Sequence, residues 1–466
     1  MSMDEASPPE AEEAEAAKRA ADDPAFLARV VGAAGDRDGP LLRQLLKDLD
    51  PADLADIVEQ LPGEAMRHAL KLIGPELPTE FLANLSWERR EEALQVLPAD
   101  YIGKALGELD TDDAAAVAAD VEREKLGVVL AAASADVRHA VEEALSFDEE
   151  TAGRLMQREY VAAPEGASVG QVIDRLRADH AELPDVFFEV YVVDPRMRPI
   201  GAAPVSTLLR ATRDTPLSAI MRPPAILIRP EMDQEEVAHA FQKYHLASAP
   251  VVDADGKLTG MVTVDDIVDV VQEESSEDML RLAGVSDASQ TDTVVRSVRS
   301  RAPWLVVNLG TALVASSVIS SFSGSIEQLV ALAVLMPIVA SMGGNAGTQA
   351  VTVAVRALAT RDLNTASAPR YVLREAMTGI ANGLMFAVLL AVVAGLWFKS
   401  AGLALAIGLA VIINFGCAGL AGILVPLTLQ RMGADPAVSS SVFVTFITDC
   451  VGFLAFLGLA TLILLM

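Results

Sequence analysis

Ala437 to Met466 reads AVSSSVFVTFITDCVGFLAFLGLATLILLM, a long apolar run whose one carboxylate, Asp449, sits near its middle. A helix of roughly 20 apolar residues crosses the hydrocarbon core of a bilayer. A buried helix of a soluble protein would also account for one such run. Four more precede it, approximately Pro303 to Phe322, Leu329 to Val355, Ala376 to Phe398 and Ala404 to Leu429, and five in succession leave the soluble reading without support. The fold class is therefore a multidomain membrane protein with a five-helix transmembrane α domain over 302–466.

Asp449 is expensive where it stands: a carboxylate at the centre of an apolar helix costs about 2.5–3.5 kcal/mol. Such residues are usually functional and face a cavity or a partner. Ser441, Thr445, Thr448, Asp449 and Gly452 recur at helical spacing as a small, polar stripe. The second span carries Met336-Pro337 and then Gly343-Gly344-Asn345-Ala346-Gly347-Thr348-Gln349. Proline and clustered glycine break or kink helices, and loosened backbone at membrane depth is tolerated only inside protein or beside water. The pattern points to a pore wall or to a close helix crossing. The candidate pore-lining residues are Gly343, Gly344, Asn345, Thr348, Ser441, Thr445 and Thr448.

Basic residues set the orientation. Arg296, Arg299 and Arg301 precede the first span, Arg356, Arg361, Arg370 and Arg374 separate the second from the third, and Arg431 separates the fourth from the fifth. Lys399 stands alone on the other side. Positive charge stays inside, so the expected N-terminus is cytoplasmic and the C-terminus extracytoplasmic, in the cell inner (plasma) membrane. The acidic N-terminus has no apolar core of a cleavable signal.

The first 301 residues hold 30 basic and 59 acidic side chains. Phosphates would be repelled, so nucleic acid is excluded as a partner; small hard cations and simple solubility both suit such a surface. Cys417 and Cys450 lie in apolar runs with no zinc or disulfide spacing. All five histidines precede the spans, and no His-Glu-x-x-His occurs, which leaves a membrane zinc protease without its ligands.

The acidic half divides further. Residues 1–23 read as a disordered acidic tail. Over 24–150, runs such as Leu49-Asp50-Pro51-Ala52-Asp53-Leu54 and Leu109-Asp110-Thr111-Asp112-Asp113-Ala114 place a capping aspartate before apolar residues at helical spacing. Several such units predict an α-helical solenoid. Next comes an internal repeat, with Val192-Val193-Asp194 and Val251-Val252-Asp253 offset by 59 residues, each copy reading strand, helix, strand, turn, strand, helix. An acidic run follows: Asp265, Asp266, Asp269, Glu273, Glu274, Glu277 and Asp278. Members three or four apart stack carboxylates on one helical face, which is unfavourable unless a divalent ion bridges them. Leu280 to Arg301 is expected to be a connecting helix into the first span.

The repeat resembles the paired cystathionine-β-synthase-type (CBS) regulatory domain, an α+β module, with copies over 151–213 and 214–278. In that family a Thr-x-x-Asp such as Thr263 and Asp266 often holds an adenosine ribose, which implies ATP as a regulator. The first copy, Gly201-Ala202-Ala203-Pro204-Val205-Ser206, lacks the aspartate.

Helical repeats, a CBS pair, a connecting (plug) helix over 279–301 and five spans, in that order, resemble the MgtE family of magnesium channels. The specific segments are Arg301-Ala302-Pro303-Trp304-Leu305, the Gly343–Gln349 run, Arg356-Ala357-Leu358-Ala359-Thr360-Arg361-Asp362-Leu363, Asp435-Pro436-Ala437 and Thr445-Phe446-Ile447-Thr448-Asp449. The resemblance implies a homodimer in the lipid bilayer around one central pore, with Mg²⁺ as both substrate and regulator. It implies that Asp449 is the pore aspartate and that Asp435 stands at the cytoplasmic mouth of the fifth helix, both as expected metal-site residues. Asp266, Asp269, Glu274, Glu277, Asp278 and Glu235 match positions that bind regulatory Mg²⁺, with Asp112 or Asp113 as the acidic partner from the helical domain. Two departures are Lys243-Tyr244-His245, where the family can show an aspartate, and Ser439-Ser440-Ser441-Val442, where proline is common. The expected function is a non-enzymatic, Mg²⁺-gated channel driven by the membrane potential. A coupled secondary transporter, with Asp449 as a proton relay, is the alternative, and a pure sensor would leave Asp449 and the broken second span unexplained.

Overall fold

The computed structural model describes residues 23–47, 49–178, 183–184, 186–285, 294–360, 362–363, 367–438 and 440–465. The expected acidic tail, Arg361 and Ser439 lie outside them, except for Asp23, which caps a helix. The chain forms two compact units that divide between Gln272 and Glu273.

The first unit begins with short helices, among them Pro24–Gly35, Gly39–Leu46, Pro51–Gln60 and Thr111–Ala119. Asp23, Asp38 and Asp50 cap the first three, each accepting a backbone N–H just ahead of a proline-started helix. Their apolar faces share one core that runs from Val30 to Val141 and includes Leu54, Phe81 and Ile102. The repeat follows in the expected order. In the first copy, β1 (Ala162–Pro164) runs parallel to β2 (Glu189–Val193), which pairs antiparallel with β3 (Pro199–Pro204). In the second, β4 (Ser248–Val252) pairs antiparallel with β5 (Leu258–Thr263), and the strand before the helix Gln234–Tyr244 is reduced to one parallel bridge, Ile228 to Val251. The closing helix of the first copy is a single turn, Val205–Leu208, whereas that of the second runs from Val264 to Leu282. Tyr191 joins the copies: its buried hydroxyl lies 2.9 Å from Ser248 Oγ.

The expected connecting helix is corrected at its start. Leu280–Leu282 belong to the helix that leaves the second copy, and that helix stops at Gly284, with φ +73°. Gly284 N–H donates to Arg281 O and Val285 N–H to Leu280 O, the paired bonds of a Schellman end. A residue with a Cβ is strained at that φ, so the helix cannot run on unbroken. Residues 286–293 lie outside the described set, and helix resumes at Val294.

Five helices of the second unit are long and apolar enough to cross a membrane: Ser297–Ser320, Ala331–Ala359, Ala368–Phe398, Ala401–Arg431 and Ser440–Leu464. Most exceed their sequence-read length because polar ends continue the helix beyond the apolar run. Spans two, four and five share a core of Leu335, Val339, Ile407, Val411, Phe415 and Phe456. The third span lies on the fourth through small residues: a Cβ on Gly379 would meet Phe415 O at 2.4 Å, and one on Gly419 would meet Glu375 O at 2.5 Å. Close approach of this kind replaces the hydrophobic effect, which cannot join helices in lipid.

Candidate functional site

Two acidic junctions and one in-span carboxylate carry the chemistry. The first junction lies within the first unit. Asp110, Asp112 and Asp113 open the helix Thr111–Ala119, and Asp265 and Asp266 open the helix Val264–Leu282, with Asp269 in its second turn. Aspartate is favourable in the first turn of each helix taken alone. Glu159 fixes the first of them, accepting from Thr111 N–H at 3.1 Å and from Thr111 Oγ1 at 2.7 Å. The fold then sets the two acidic ends against each other. Asp112 is buried at 7% exposure, and its Oδ1 has no hydrogen-bond partner among the described residues. Asp266 accepts from Thr263 Oγ1 at 2.8 Å, and it stands close enough to Asp112 for the two carboxyls to act on each other electrostatically.

Burial, then the neighbouring Asp266 and Asp113, push Asp112 well above the usual carboxylate range. Burial pushes Asp266 up to about 7, with Asp265 and Asp113 adding repulsion and the Thr263 bond opposing it. Burial and Asp110 take Asp113 to about 6 against the pull of Arg90. Asp269 is raised by burial and by Asp265. The orphaned Asp112 oxygen and the facing carboxylates fit a divalent cation. Among the described residues no three His, Cys, Asp or Glu side chains converge as a ligand set.

The second junction, within the second unit, is built differently. Arg281 Nη1 donates to Asp435 Oδ2 at 2.5 Å, and its Nη2 pairs with Glu277 one turn back. Asp435 Oδ1 also accepts from Ala437 N–H at 2.7 Å, and Ser441 Oγ donates to Leu282 O at 2.8 Å. Asp278 is raised by burial, then by Asp435 and Glu274, against the pull of Arg281. Here a guanidinium occupies carboxylates that the resemblance assigns to Mg²⁺. Glu277 and Asp435 therefore do not fit an added ion while Arg281 holds them.

Glu235 is placed elsewhere, in the first turn of Gln234–Tyr244, whose N-cap Asp233 accepts from Glu235 N–H. That helix ends at His245 in the left-handed region, with φ 54°, and Lys243 lies over the Tyr244 ring.

In the membrane unit Asp449, Thr445 and Ser441 are half-buried on the fifth span, Gly344 is partly covered, and Asn345 and Thr348 are exposed on the second. Gly343 and Thr448, expected to line the path, are instead covered within the chain. Gly343 lies under the Asn414 amide, and Thr448 is fully buried, its Oγ1 donating to Thr445 O. The small residues there serve a close crossing of the second and fifth spans. Sequence reading passed over two residues. Arg281 was visible as the lone cation at the end of the acidic run, and Asn414 as the lone amide inside the fourth span.

Three family models match this chain. They are the MgtE divalent cation transporter over residues 336–459, the MgtE intracellular N domain over 49–150 and the CBS domain over 217–273. A magnesium transporter MgtE of Thermus thermophilus is 34% identical over 92% of this chain and 96% of its own length. This chain belongs to the MgtE family. The MgtE of Bacillus subtilis is 29% identical over 91% of this chain and 95% of its own. Among solved structures, the cytosolic domain of the Mg²⁺ channel MgtE in complex with ATP is 33% identical, covering 52% of this chain and 99% of that one at a TM-score of 0.48. The soluble part of a magnesium transporter is 24% identical, covering 53% and 98% at a TM-score of 0.47. An MgtE chain with five membrane-crossing helices is a multi-pass membrane protein of a magnesium-transporter family.

Proposed function

We propose that this chain is a Mg²⁺ channel of the inner membrane, N-terminus cytoplasmic, that cytoplasmic Mg²⁺ closes. The observation that carries the reading is the facing of Asp112 and Asp266, with one carboxyl oxygen buried and unpartnered. Such a pair is unfavourable when both groups are ionised, and Mg²⁺ reverses the sign. When the ion is plentiful it bridges Asp112 and Asp266, with Asp113, Asp265 and Asp269 adding field, and favours a compact closed state. When it falls, the carboxylates repel and the junction opens. Mg²⁺ acts as a gate only through tighter binding to the closed state. Glu235, Glu274 and Asp278 are candidates for further regulatory ions.

Permeation rests on Asp449. In a homodimer two such carboxylates, one per copy, hold a hydrated Mg²⁺ through its water shell, weakly enough to release it. Ser441, Thr445, Gly344, Asn345 and Thr348 line the approach. The membrane potential supplies about 2.3 kcal/mol per charge per 100 mV, hence about 4.6 kcal/mol for a divalent ion. Thr263 and Asp266, joined by a 2.8 Å hydrogen bond, are the ribose-holding pair for a regulatory ATP.

Mg²⁺ uptake by proteoliposomes at a fixed inside-negative potential tests both halves. Asp449→Ala is expected to lower the rate by roughly 100-fold, the scale of losing one preorganised electrostatic contact. Asp112→Asn with Asp266→Asn is expected to leave uptake intact and blunt its block by internal Mg²⁺. Undiminished uptake in Asp449→Ala rules out the permeation route. Proton-coupled uptake without unitary currents would favour an exchanger.

A further inference from the structure

Asn414 is the one fully buried amide of the fourth span, at 0% exposure. Its Nδ2 donates to Val339 O on the second span at 3.0 Å. A carbonyl needs a donor, so this bond fixes which way the amide points and leaves Oδ1 buried with no partner among the described residues. Two glycines make room for the group. A Cβ on Gly343 of the second span would lie 2.1 Å from Asn414 Nδ2, and one on Gly452 of the fifth span would lie 2.7 Å from it. The amide therefore plugs the crossing of three spans, and no other residue type fits at the two facing positions without displacing it.

Stability does not account for that choice. Val339 O already serves the helix ladder, and an unpartnered buried acceptor is costly. Leucine branches at Cγ in the same way without leaving an orphaned oxygen. What the amide adds is register. Gly343 opens the Gly343–Gln349 run, and Gly452 lies three residues beyond Asp449 on the same helix. Along the seam between these points, Gly344 meets Thr445 at 3.7 Å from its ideal Cβ, and Gly347 meets Val444 at 2.5 Å. Helices in lipid slide against one another unless packing or an interhelical bond stops them.

We propose that Asn414 is a positioning residue for permeation: it pins the second span against the fifth and so sets where the Asp449 carboxylate stands relative to the Gly343–Gln349 run. The inference rests on Asp449 being the ion station and adds the device that holds it in place.

The test is Mg²⁺ uptake by the full-length protein in vesicles, normalised to folded protein by size exclusion, over a range of external Mg²⁺. Asn414→Ala is expected to raise the half-saturating Mg²⁺ at least threefold, because a displaced station binds the ion more weakly. Asn414→Leu, which keeps the branching at Cγ but removes the hydrogen bond, is expected to do the same. Gly343→Ala, which drives a methyl into the amide, is expected to match them. The double variant Asn414→Ala with Gly343→Ala is expected to match Asn414→Ala alone, since Gly343→Ala acts only by displacing an amide that is already gone. A fall in maximal rate alone, with half-saturation unchanged, would mean that Asn414 only stabilises the fold and would overturn the proposal. So would a double variant in which the two effects add. Asp449→Ala is assayed alongside. If it transports normally, the ion station itself is lost as an idea; if it is silent while Asn414→Ala keeps wild-type half-saturation, only the pin is.

Discussion

The two acidic junctions solve one problem in opposite ways. At Asp112 and Asp266, carboxylate faces carboxylate, and one Asp112 oxygen is buried without a hydrogen-bond partner among the described residues. At Asp435 and Glu277, the chain supplies its own cation, Arg281. Both sets come from acidic residues at helix ends, and sequence pattern alone treats them alike. The difference is energetic. On the proposed function, the first junction is complete only when a cation arrives from solution, and in that way it reports the concentration of that cation. The second is complete without one and acts as a fixed clasp between the end of the long helix and the mouth of the fifth span, both within the membrane unit. A sensor requires the incomplete kind.

The largest effect expected from this contrast is loss of the sensor. Asp112→Asn with Asp266→Asn removes both repelling charges, so Mg²⁺ should no longer protect the full-length protein in detergent against limited proteolysis at any concentration below about ten times the wild-type midpoint. Protection at the wild-type midpoint would break the assignment of the first junction as the sensor.

Arg281→Gln should convert the second junction into the first kind. With the clasp removed, Glu277, Asp278 and Asp435 become available to an ion. Mg²⁺ should then block uptake at a concentration lower by roughly several-fold, the scale of one charge-assisted contact in a partly exposed site. An unchanged midpoint would mean that the guanidinium does not stand in for the ion.

Acidity should mimic the ion at the first junction only. Asp266 and Asp113 have folded-state pKa values raised to about 7 and about 6 by burial and by neighbouring carboxylates. A group raised on folding contributes stability that is fully present below its unfolded pKa and is lost as pH rises through the folded value. In EDTA, therefore, the thermal midpoint of the first unit should fall between pH 5.5 and pH 8 by on the order of a few degrees, and Mg²⁺ should restore it more at pH 8 than at pH 5.5. Asp266→Asn should flatten the slope. A midpoint that instead rises toward pH 8 in EDTA would contradict the repulsion.

The smallest effect belongs to Thr263. Its hydroxyl bond to Asp266 opposes the upward shift, so Thr263→Val should move the same pH window upward by a fraction of a unit, and should weaken any ATP contact made through the same pair. A downward shift of the window would show that the bond favours the protonated form.

Much of this was legible beforehand. Five apolar runs, one with Asp449 at its centre, announced the membrane unit because hydropathy is a local property and a span must satisfy its backbone within itself. Asp50 ahead of Pro51 announced a helix start, and the paired Val-Val-Asp cores announced the repeat. The continuous connecting helix was misread because the αL turn at Gly284 depends on how Leu280 and Arg281 carbonyls are closed off, which no periodicity records. Gly343 and Thr448 were read as pore wall because small, polar residues in a span serve packing and permeation equally well on paper.

The order of residues by itself determined that this chain spans a membrane five times, carries an acidic front half and holds one carboxylate deep in its last span, since each follows from composition within a single stretch. Only the tertiary structure decided which acids face acids and which face Arg281, and that an amide at 414 fills the space left by glycines at 343 and 452. The Asp112–Asp266, Arg281–Asp435 and Asn414–glycine pairings join residues 38 to 154 positions apart, and their energies depend on distance and burial, which a linear sequence does not specify.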